Sequence, residues 1–379
     1  DFAQLPVISR QDTQEHLTEM ISGAVLENMR YLNFSGGTTG EPIRFYQDLR
    51  LRESMEASWL LCLSFAGWKP SDMIISIWGN PRDSTSTAVK QGLRPWLAGQ
   101  LVVNAYRYGK EEFKTWLAVI ASYRRVYLYG YASVIADLAE YMLDANKKAP
   151  SVQGVLTTAE RLHEAQRETI ARAFECRVYD QYGSREVPAV SMECAQGNMH
   201  LLTHSAYAEF LPLTETTRAH VLESGGDGGD EPRRIVLTSL TNRAMPLIRY
   251  EVGDYGMPMD GACPCGRGFP MMRMSIGRLG GSLVTPDGKR LYSTFFVRQM
   301  YGMEGVSAFQ FRQKSPVDVQ LHVVRGLRFH DGTARKLAEL QERFGRDLCP
   351  GMRLNVRYVE DVPRTPGGKH RHVVCEVEP

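Results

Sequence analysis

A ten-residue segment near the start of the chain combines the residue types that bind phosphate through the backbone. It reads Asn33-Phe34-Ser35-Gly36-Gly37-Thr38-Thr39-Gly40-Glu41-Pro42 and holds three glycines, three hydroxyl side chains and no lysine. Glycine lets backbone N–H groups approach a ligand, and a run of such groups beside hydroxyls forms a concave site for phosphate oxygens. It is not a Walker A loop, which ends in Gly-Lys-Ser/Thr. Because a surface turn has a similar composition, a phosphate site also requires matching motifs elsewhere in the chain.

Five later segments place charged or hydroxyl side chains beside glycine or at the ends of predicted strands. In order they are Thr157-Thr158-Ala159-Glu160, Gln181-Tyr182-Gly183-Ser184-Arg185-Glu186, Arg249-Tyr250-Glu251-Val252-Gly253-Asp254, Ile276-Gly277-Arg278 and Pro363-Arg364-Thr365-Pro366-Gly367-Gly368-Lys369-His370-Arg371. The first two directly follow or end buried strands, where ligands of α/β sheets usually bind. Any one of them alone is a weak signal, and a solvated surface position is the alternative for each.

Three cysteines and one histidine have the composition of a zinc site. Cys263 and Cys265 form a Cys-x-Cys pair, and Cys194 lies six residues before His200. Three thiolates and one imidazole would complete a tetrahedral structural Zn²⁺ site. The alternative is three buried free cysteines, which are common in protein cores.

Composition bounds the class of protein. The 379 residues suggest two or three domains on a prior of ~100–200 residues per domain. With 43% hydrophobic and 23% charged residues and a net charge of +2, neither nucleic acid nor an anionic membrane is an expected partner. No signal peptide or apolar run of ~20 residues is evident. Seven unevenly spaced cysteines favour a reducing compartment, so we expect a cytoplasmic protein.

Hydrophobic periodicity predicts alternating strands and helices through the first half of the chain. We predict strands at 44–46, 74–78, 126–129, 155–158 and 178–180, and helices at 11–30, 49–67, 113–120, 135–142 and 162–174. Such alternation predicts a mostly parallel sheet covered by helices. Residues 130–133, 159–160 and 182–184 should then share the rim at the carboxyl ends of the strands.

Two further regions complete the predicted organisation. Short β-rich runs predict a β subdomain at about 199–275, and a boundary falls near Gly277–Gly281. Beyond it, alternating and helical patterns predict a β-α-β-β unit of about 100 residues, large enough for a separate domain. We therefore predict an N-terminal core at 1–278 and a C-terminal domain at 279–379.

The six segments, in this order, resemble the adenylate-forming superfamily of acyl-CoA synthetases, adenylation domains and luciferases. Residues 127–133, 263–267 and 285–289 point to the branch of phenylacetate-CoA ligases and CapK-like proteins. The resemblance covers nearly the whole chain. It implies an α/β fold with a large N-terminal domain, built from a mostly parallel, helix-covered sheet and a β subdomain, and a small mobile α+β C-terminal domain.

The resemblance also implies a role for each segment. Attack of a carboxylate on the α-phosphate of ATP joins two anions, so the site must offset negative charge and align both reactants. Lys369, Glu186 and Arg185 would be catalytic, with Glu186 binding Mg²⁺. Asp254 would hold the ribose, and Tyr182 the adenine. The nucleotide site as a whole would comprise Ser35, Gly36, Gly37, Thr38, Thr39, Gly40, Ala159, Glu160, Asp180, Gln181, Tyr182, Gly183, Ser184, Asp254 and Arg278.

The acid would bind beside the nucleotide. The residues expected there are Trp78, Tyr129, Tyr131, Ser133 and Gly183. Aromatic walls suit a flat or aromatic carboxylic acid, although ordinary core aromatics would give the same pattern. The phenylacetate-CoA ligase branch also carries a similar Cys…His…Cys-x-Cys arrangement, which favours zinc at Cys194, His200, Cys263 and Cys265.

Three departures from the superfamily pattern bear on the activity. Arg185 stands where Thr is common, and it could pair with phosphate or reshape the acyl pocket. Gly280-Gly281 replaces an acidic residue at the hinge about which the small domain rotates in this superfamily. The segment after the hinge is also shorter than in phenylacetate-CoA ligases. Together these departures put transfer to CoA in more doubt than adenylation.

The expected function is ATP- and Mg²⁺-dependent adenylation of a small-molecule carboxylic acid, followed by transfer to a thiol. An aryl or arylalkyl acid and CoA are the expected substrates. One alternative is an acyl-AMP ligase that loads the phosphopantetheine of a carrier protein, or an amine, in secondary-metabolite or polysaccharide biosynthesis. Another is a non-catalytic nucleotide-binding scaffold. The sequence leaves open whether the protein is a homodimer.

Overall fold

The computed structural model describes residues 2–34, 43–78, 99–105, 108–214, 232–276, 282–286, 290–292, 296, 299–300, 303–349, 351–363 and 372–377. Ser35–Gly40, Arg278 and Lys369, which the sequence assigns to phosphates, nucleotide and catalysis, lie outside these ranges. The predicted domain limits remain a prediction, because residues 277–281 are also outside them.

Five parallel strands form one half of the central sheet. In spatial order they are β4 (Gln100–Asn104), β3 (Met73–Trp78), β5 (Val126–Tyr131), β6 (Val152–Thr158) and β7 (Arg177–Tyr182). The helices of this half are α2 (Leu49–Phe65), α3 (Lys110–Ala121), α4 (Ala132–Asp144) and α5 (Glu164–Phe174). Fully buried residues such as Ile75, Leu128 and Val155 explain why apolar runs predicted these strands correctly. The predicted α/β fold class is confirmed; β4 is an additional strand.

Six antiparallel strands continue the same sheet. They are β8 (Ser191–Glu193), β9 (Met199–Leu201), β10 (Ala206–Leu211), β11 (Arg233–Ser239), β12 (Tyr250–Met259) and β13 (Met271–Ile276), joined in the order β7-β8-β9-β13-β12-β11-β10. The β-rich region therefore extends the parallel half through two strands of three residues each.

The predicted helix at 11–30 is wrong in length. Helix α1 spans only Arg10–Glu15, with a capping box between Ser9 and Asp12, and a single 3₁₀ turn covers Glu27–Met29. Between them the Arg30 guanidinium donates to the carbonyls of Ser22 and Val25. These carbonyls are thus satisfied by a side chain instead of a helical N–H.

A short hairpin precedes the parallel half. Strand β1 (Tyr31–Phe34) pairs with β2 (Arg44–Gln47), and Phe34 lies opposite Arg44. The glycine-rich segment connects these two strands.

The separate C-terminal domain contains two sheets. Strands β14 (Ser282–Val284) and β15 (Arg290–Tyr292) pair with each other, and four strands run in the order β18 (Arg353–Val359), β17 (Asp318–Arg325), β16 (Val306–Ser315) and β19 (Val373–Cys375). Helix α6 (Asp331–Arg343) packs on buried Leu321 and Val323 through Leu337. The sequence pattern predicted helix α6 and three strands of the four-stranded sheet, β17, β18 and β19, but it did not predict β16.

Strand β16 was missed because a polar residue continues its buried face. Gln313 is fully buried, and its side-chain amide makes two hydrogen bonds to the backbone of Val284. Its Oε1 accepts the N–H of Val284 at 2.7 Å, and its Nε2 donates to the carbonyl of Val284 at 2.5 Å. The side chain thus acts as a backbone mimic, which the hydrophobic pattern cannot reveal.

Candidate functional site

The carboxyl ends of β5, β6 and β7 form the predicted rim. Strand β6 ends at Thr158, and Ala159 then adopts a φ of 66°, a conformation uncommon for a residue with a Cβ. The turn brings Glu160 to the start of α4, where its Oε2 accepts the N–H of Ser133 at 3.0 Å. A carboxylate is favourable at a helix N-terminus. Through this hydrogen bond, Glu160 connects the segment after β6 with the segment after β5.

The predicted adenine and ribose residues are in direct contact. The hydroxyl of Tyr182, at the end of β7, donates to Oδ2 of Asp254 at 2.9 Å. Asp254 comes from β12 in the antiparallel half and is largely buried. The two halves of the sheet thus contribute one side chain each to a single polar pair.

Asp180 lies in a buried polar network. Its Oδ1 accepts the hydroxyl of Thr157 at 2.9 Å, and burial raises the pKa of its carboxyl to about 6. Its N–H donates to Glu193 at 2.9 Å, and Glu193 is paired with Arg167 at 2.8 Å. This network fixes the backbone of β7 just before the site. The side-chain oxygen of the neighbouring residue, Gln181, is buried without a hydrogen-bond partner in the described part of the chain.

Sequence reasoning missed Arg167 and Glu193. Glu193 lies on the three-residue strand β8, which is too short for a periodic pattern. Arg167 belongs to the polar face of α5, where arginine is usually solvated. Only the strand order shows that the two side chains meet.

The turn after β7 is tightly built. The Ser184 hydroxyl accepts the N–H of Val187 at 3.0 Å, and the Ser184 N–H donates to the Val187 carbonyl at 3.1 Å. A Cβ on Gly183 would lie 2.9 Å from the backbone nitrogen of Ala189, so a side chain there would displace the turn. This geometry explains the Tyr-Gly-Ser sequence.

Glu186 has the properties of a cation ligand. Only 2% of the residue is exposed, and its Oε1 is buried with no hydrogen-bond partner among the residues that the structure describes. A buried carboxylate oxygen without a donor is costly. Mg²⁺ is a hard cation that takes carboxylate oxygens, so this orphaned atom fits the predicted metal.

Arg185 points to the other side of the turn. It is exposed; its Nη1 donates to the carbonyl of Phe34 at 3.2 Å, and its own carbonyl accepts from Gln47 at 2.9 Å. Phe34 and Gln47 belong to the two strands that the glycine-rich segment connects. Arg185 therefore ties the β7 turn to that hairpin.

The predicted acyl-pocket aromatics form one stack. The ring of Trp78 lies on Tyr131, with centroids 4.4 Å apart, and nearly parallel to Tyr129 at 6.1 Å. Trp59, which the sequence did not single out, meets Tyr129 edge-on at 6.2 Å. Burial raises the pKa of Tyr129, so its hydroxyl stays neutral. The hydroxyl oxygen of Ser133 is buried beside this region without a partner in the described ranges.

The four predicted zinc ligands converge. Their ligand atoms all lie within 4.8 Å of one another, with Cys194 Sγ and Cys263 Sγ 3.6 Å apart and Cys265 Sγ 3.4 Å from His200 Nε2. Tetrahedral zinc with Zn–S of ~2.3 Å and Zn–N of ~2.0 Å separates its ligands by about 3.5–3.8 Å. The separations of 3.6 Å and 3.4 Å are close to that range.

The surroundings of His200 and Cys263 favour the forms of these two side chains that bind metal, whereas burial raises the pKa of Cys194. His200 Nδ1 lies 3.1 Å from the carbonyl of Phe269, which assigns the proton to Nδ1 and leaves Nε2 to face the sulfurs. Asn198 Nδ2 lies 3.3 Å from Cys263 Sγ. Burial acts to raise the pKa of Cys263, but this hydrogen bond and those of the neighbouring cysteines lower it to about 7. A thiolate is the ligand form of cysteine.

Comparison with known proteins covers both parts of the chain. Residues 283–376 match the family described as the CapK C-terminal domain. Protein CapK of Staphylococcus aureus is 22% identical over 385 residues, covering 99% of this chain and 80% of that protein. The phenylacetate-coenzyme A ligase of Thermus thermophilus is 26% identical over 302 residues, covering 78% of this chain and 64% of the ligase.

Solved structures show the same fold. A 2-hydroxyisobutyryl-CoA ligase in its postadenylation state aligns with a TM-score of 0.68 at 16% identity, covering 98% of this chain and 80% of that one. The same enzyme in its thioesterification state aligns with a TM-score of 0.56 at 17% identity, covering 99% and 80%. None of the described helices combines the length and apolar composition that a membrane span requires. In its motifs, its relatives and its fold, the chain resembles the adenylate-forming superfamily, in the branch of phenylacetate-CoA ligases and CapK-like proteins.

Proposed function

We propose that this protein activates a carboxylic acid with ATP and Mg²⁺ as an acyl-adenylate and then transfers the acyl group to a thiol. The observation that carries the proposal is the end of β7 and the turn after it. There, Tyr182 is paired with Asp254, and Glu186 holds a buried, unpartnered oxygen among the described residues. Such convergent polar groups at the carboxyl end of a parallel strand are typical of a nucleotide site.

Two displacements make up the proposed reaction. A carboxylate oxygen of the acid attacks the α-phosphorus of ATP, the bond to the β-phosphate breaks, and pyrophosphate leaves. A thiolate then attacks the carbonyl carbon of the acyl-adenylate, and AMP leaves with the former carboxylate oxygen. The first step brings two anions together, so the enzyme must hold them in line and offset their charge.

The residues of the rim would divide this work. Asp254 would accept hydrogen bonds from the ribose, while Tyr182 would lie against the adenine, held by its bond to Asp254 at 2.9 Å. Glu186 would hold Mg²⁺, which supplies positive charge to the phosphate oxygens when bound. Asp180, Gln181, Ala159 and Glu160 would complete the nucleotide side of the rim.

Phosphate binding would fall to the segment Ser35–Gly40, with Lys369 supplying a positive charge to the α-phosphate and carboxylate. The support for both is their sequence. Arg185 adds a further cation, because its bond to the Phe34 carbonyl holds it at the residue that precedes Ser35. A guanidinium can bind phosphate through two donors, which neutral Thr cannot.

The aromatic stack supports an aryl or arylalkyl acid. Trp78, Tyr129 and Tyr131 present flat rings at the ends of β3 and β5, and π-systems prefer such parallel or edge contacts. CoA is the proposed acceptor. Phosphopantetheine on a carrier protein supplies the same thiol chemistry, so the acid and its acceptor are tested separately.

We also propose that Cys194, His200, Cys263 and Cys265 bind a structural zinc ion. The support is the fit of the ligand separations to a tetrahedron and the proton assigned to His200 Nδ1. All four positions are protein ligands, so the ion would have no open coordination site. A closed site of this kind stabilises structure and does not activate water.

ATP–pyrophosphate exchange tests the proposal. Labelled pyrophosphate should enter ATP only when a suitable acid from a panel of aryl, arylalkyl, fatty and amino acids is present, and addition of CoA should then give the thioester. Lys369→Ala should lower exchange by orders of magnitude without changing the circular dichroism spectrum. Absence of exchange with every acid, together with no binding of Mg·ATP by calorimetry, would contradict the proposal.

A further inference from the structure

An ion pair joins the two domains at the far end of helix α4. Nε of Arg328, in the segment between β17 and α6, lies 2.6 Å from Oδ1 of Asp144, the last residue of α4. The two side chains are 34% and 25% exposed. This partial burial makes the pair stronger than a fully solvated one.

The acidic partner surface is unfavourable without a cation. Asp144 and Glu140 are four residues apart, so they lie on one face of α4 and repel each other. Asp144 is the last residue of the helix, where the macrodipole disfavours negative charge, and Glu140 lies one turn before it. The pKa of Glu140 is raised by burial, and the positive charge of Arg328 opposes this rise. The guanidinium of Arg328 therefore stabilises the charged forms of both Glu140 and Asp144. Arg328 thus offsets a repulsion that the N-terminal domain would otherwise retain.

The arginine is presented by a rigid turn. Gly326 donates its N–H to the carbonyl of Gly305 at 2.7 Å, and a Cβ on Gly305 would lie 2.2 Å from the backbone nitrogen of Phe329. The Phe329 ring meets Tyr358 edge-on, and Arg325 lies over both rings. These contacts hold the backbone that carries Arg328, so the cost of pairing with Asp144 falls mainly on the Arg328 side chain.

The same arrangement brings the far end of the C-terminal domain to the rim. His372 directly follows the segment that carries Lys369, and its ring stacks on Phe309 with centroids 4.6 Å apart. It lies close enough to Glu160 and His163 for their charges to interact: burial lowers the pKa of His372, and the Glu160 carboxylate opposes that effect. The C-terminal domain therefore interacts with the N-terminal domain at two places, through Arg328 at the end of α4 and through His372 near the rim.

We propose that Arg328 is a positioning residue whose pairing with Asp144 docks the C-terminal domain on α4 in the arrangement used for adenylation. The proposal rests on the proposed function for its link to catalysis, and the observed arrangement aligns better with a postadenylation structure than with a thioesterification structure of one ligase. Breaking the pair should disfavour the docked arrangement and slow adenylation, and it should leave the binding of acid on the N-terminal domain unchanged.

Charge reversal and its rescue test this. Arg328→Glu, Asp144→Arg and the double variant are compared with the parent protein, and Arg335→Glu, an exposed arginine of α6, is the matched control. Dyes at the exposed positions Glu53 of α2 and Glu339 of α6 report the interdomain distance by energy transfer. ATP–pyrophosphate exchange reports adenylation.

Each single reversal should lower energy transfer and reduce kcat for exchange by roughly fivefold at unchanged KM for the acid, the size expected for a partly buried ion pair. The double variant should regain both, and Arg335→Glu should change neither. Single reversals that match the control, or a double variant that regains nothing, would overturn the proposal. If the parent protein lacks exchange, the proposed function fails while energy transfer still decides whether the pair docks the domain.

Discussion

Glu186 contains a carboxylate oxygen that is buried without a donor among the described residues, and this oxygen is the proposed ligand of Mg²⁺. Replacing Glu186 with Gln removes the negative charge of the side chain and keeps its shape. We expect Glu186→Gln to raise the Mg²⁺ concentration needed for half-maximal exchange by about tenfold, the loss of one charged ligand at ~1.4 kcal/mol.

A binding-independent measurement accompanies that prediction. Without Mg²⁺, Glu186→Gln should unfold at the same temperature as the parent protein or a higher one, because an uncompensated buried charge has been removed. Glu193→Gln is the contrast, since Glu193 is paired with Arg167 at 2.8 Å and its neutralisation should destabilise. An unchanged Mg²⁺ dependence in Glu186→Gln would rule out this residue as the ligand.

Asp180 makes stability depend on pH. Its folded-state pKa is about 6, above the ~3.9 of an unfolded chain, so the folded state retains the proton more strongly. The resulting stabilisation is fully present below about pH 4 and is lost as the pH rises through about 6. Asp180→Asn, which can still accept from Thr157, should remove this component.

Urea unfolding at several pH values measures the difference. The free energy of unfolding of Asp180→Asn, relative to the parent protein, should increase on the order of 1–3 kcal/mol between pH 4 and pH 7. An equal pH dependence in the two proteins would show that Asp180 does not carry the raised pKa.

The contacts among the predicted site residues were not foreseen from the sequence. Tyr182 and Asp254 were both expected at the nucleotide, and the strand order brings them together although they are 72 positions apart. The bond from Arg185 to Phe34 and the capping of α4 by Glu160 had no local signal. Such contacts join segments distant in the chain, and periodicity describes only neighbours within an element.

At the scale of elements, the proposed zinc ligands lie at one of the two shortest junctions of the large sheet, each made by two residue pairs. Strand β9 contacts β13 through only two residue pairs, His200 with Met271 and Met199 with Met272. Cys194 and His200 come from the β8–β9 hairpin, while Cys263 and Cys265 precede β13. A metal bound by all four would fasten the two sides of this junction.

We expect protein purified without chelator to contain one zinc ion per chain by elemental analysis. Cys263→Ser should lose the metal and unfold about 5–10 °C lower, because metal binding contributes to folding free energy. Cys176→Ser, a cysteine outside the cluster, should retain both properties. Zinc well below one equivalent in the parent protein would contradict the assignment.

The elements themselves were predictable to the extent that their burial is regular. Buried parallel strands appear as apolar runs, which is why β3, β5, β6 and β7 were found. Strands β8 and β9 are three residues long, and β16 carries the buried Gln313 on its inner face. The predicted helix at 11–30 failed because Arg30 supplies the donors that a helix would need from its backbone.

At the scale of the whole molecule, the order of the motifs indicated which superfamily the chain resembles. The joining of the two halves into one eleven-stranded sheet was found only in the structure. In that sheet the parallel half, which carries Tyr182 on β7, adjoins the antiparallel half, which carries Asp254 on β12, and the two side chains form a hydrogen bond. The C-terminal domain faces the carboxyl ends of the parallel strands through His372, while Arg328 pairs with Asp144 at the opposite end of α4. We therefore predict a single reaction centre at the carboxyl ends of β5, β6 and β7.

The most direct test traces oxygen from the acid. The acid that gives the fastest exchange is supplied with both carboxyl oxygens labelled with ¹⁸O, together with ATP, Mg²⁺ and CoA, and the phosphorus products are examined by mass spectrometry. Attack of the carboxylate on the α-phosphorus predicts AMP carrying one ¹⁸O atom, with unlabelled pyrophosphate. Label in inorganic phosphate with formation of ADP, or AMP without label, would contradict an acyl-adenylate intermediate.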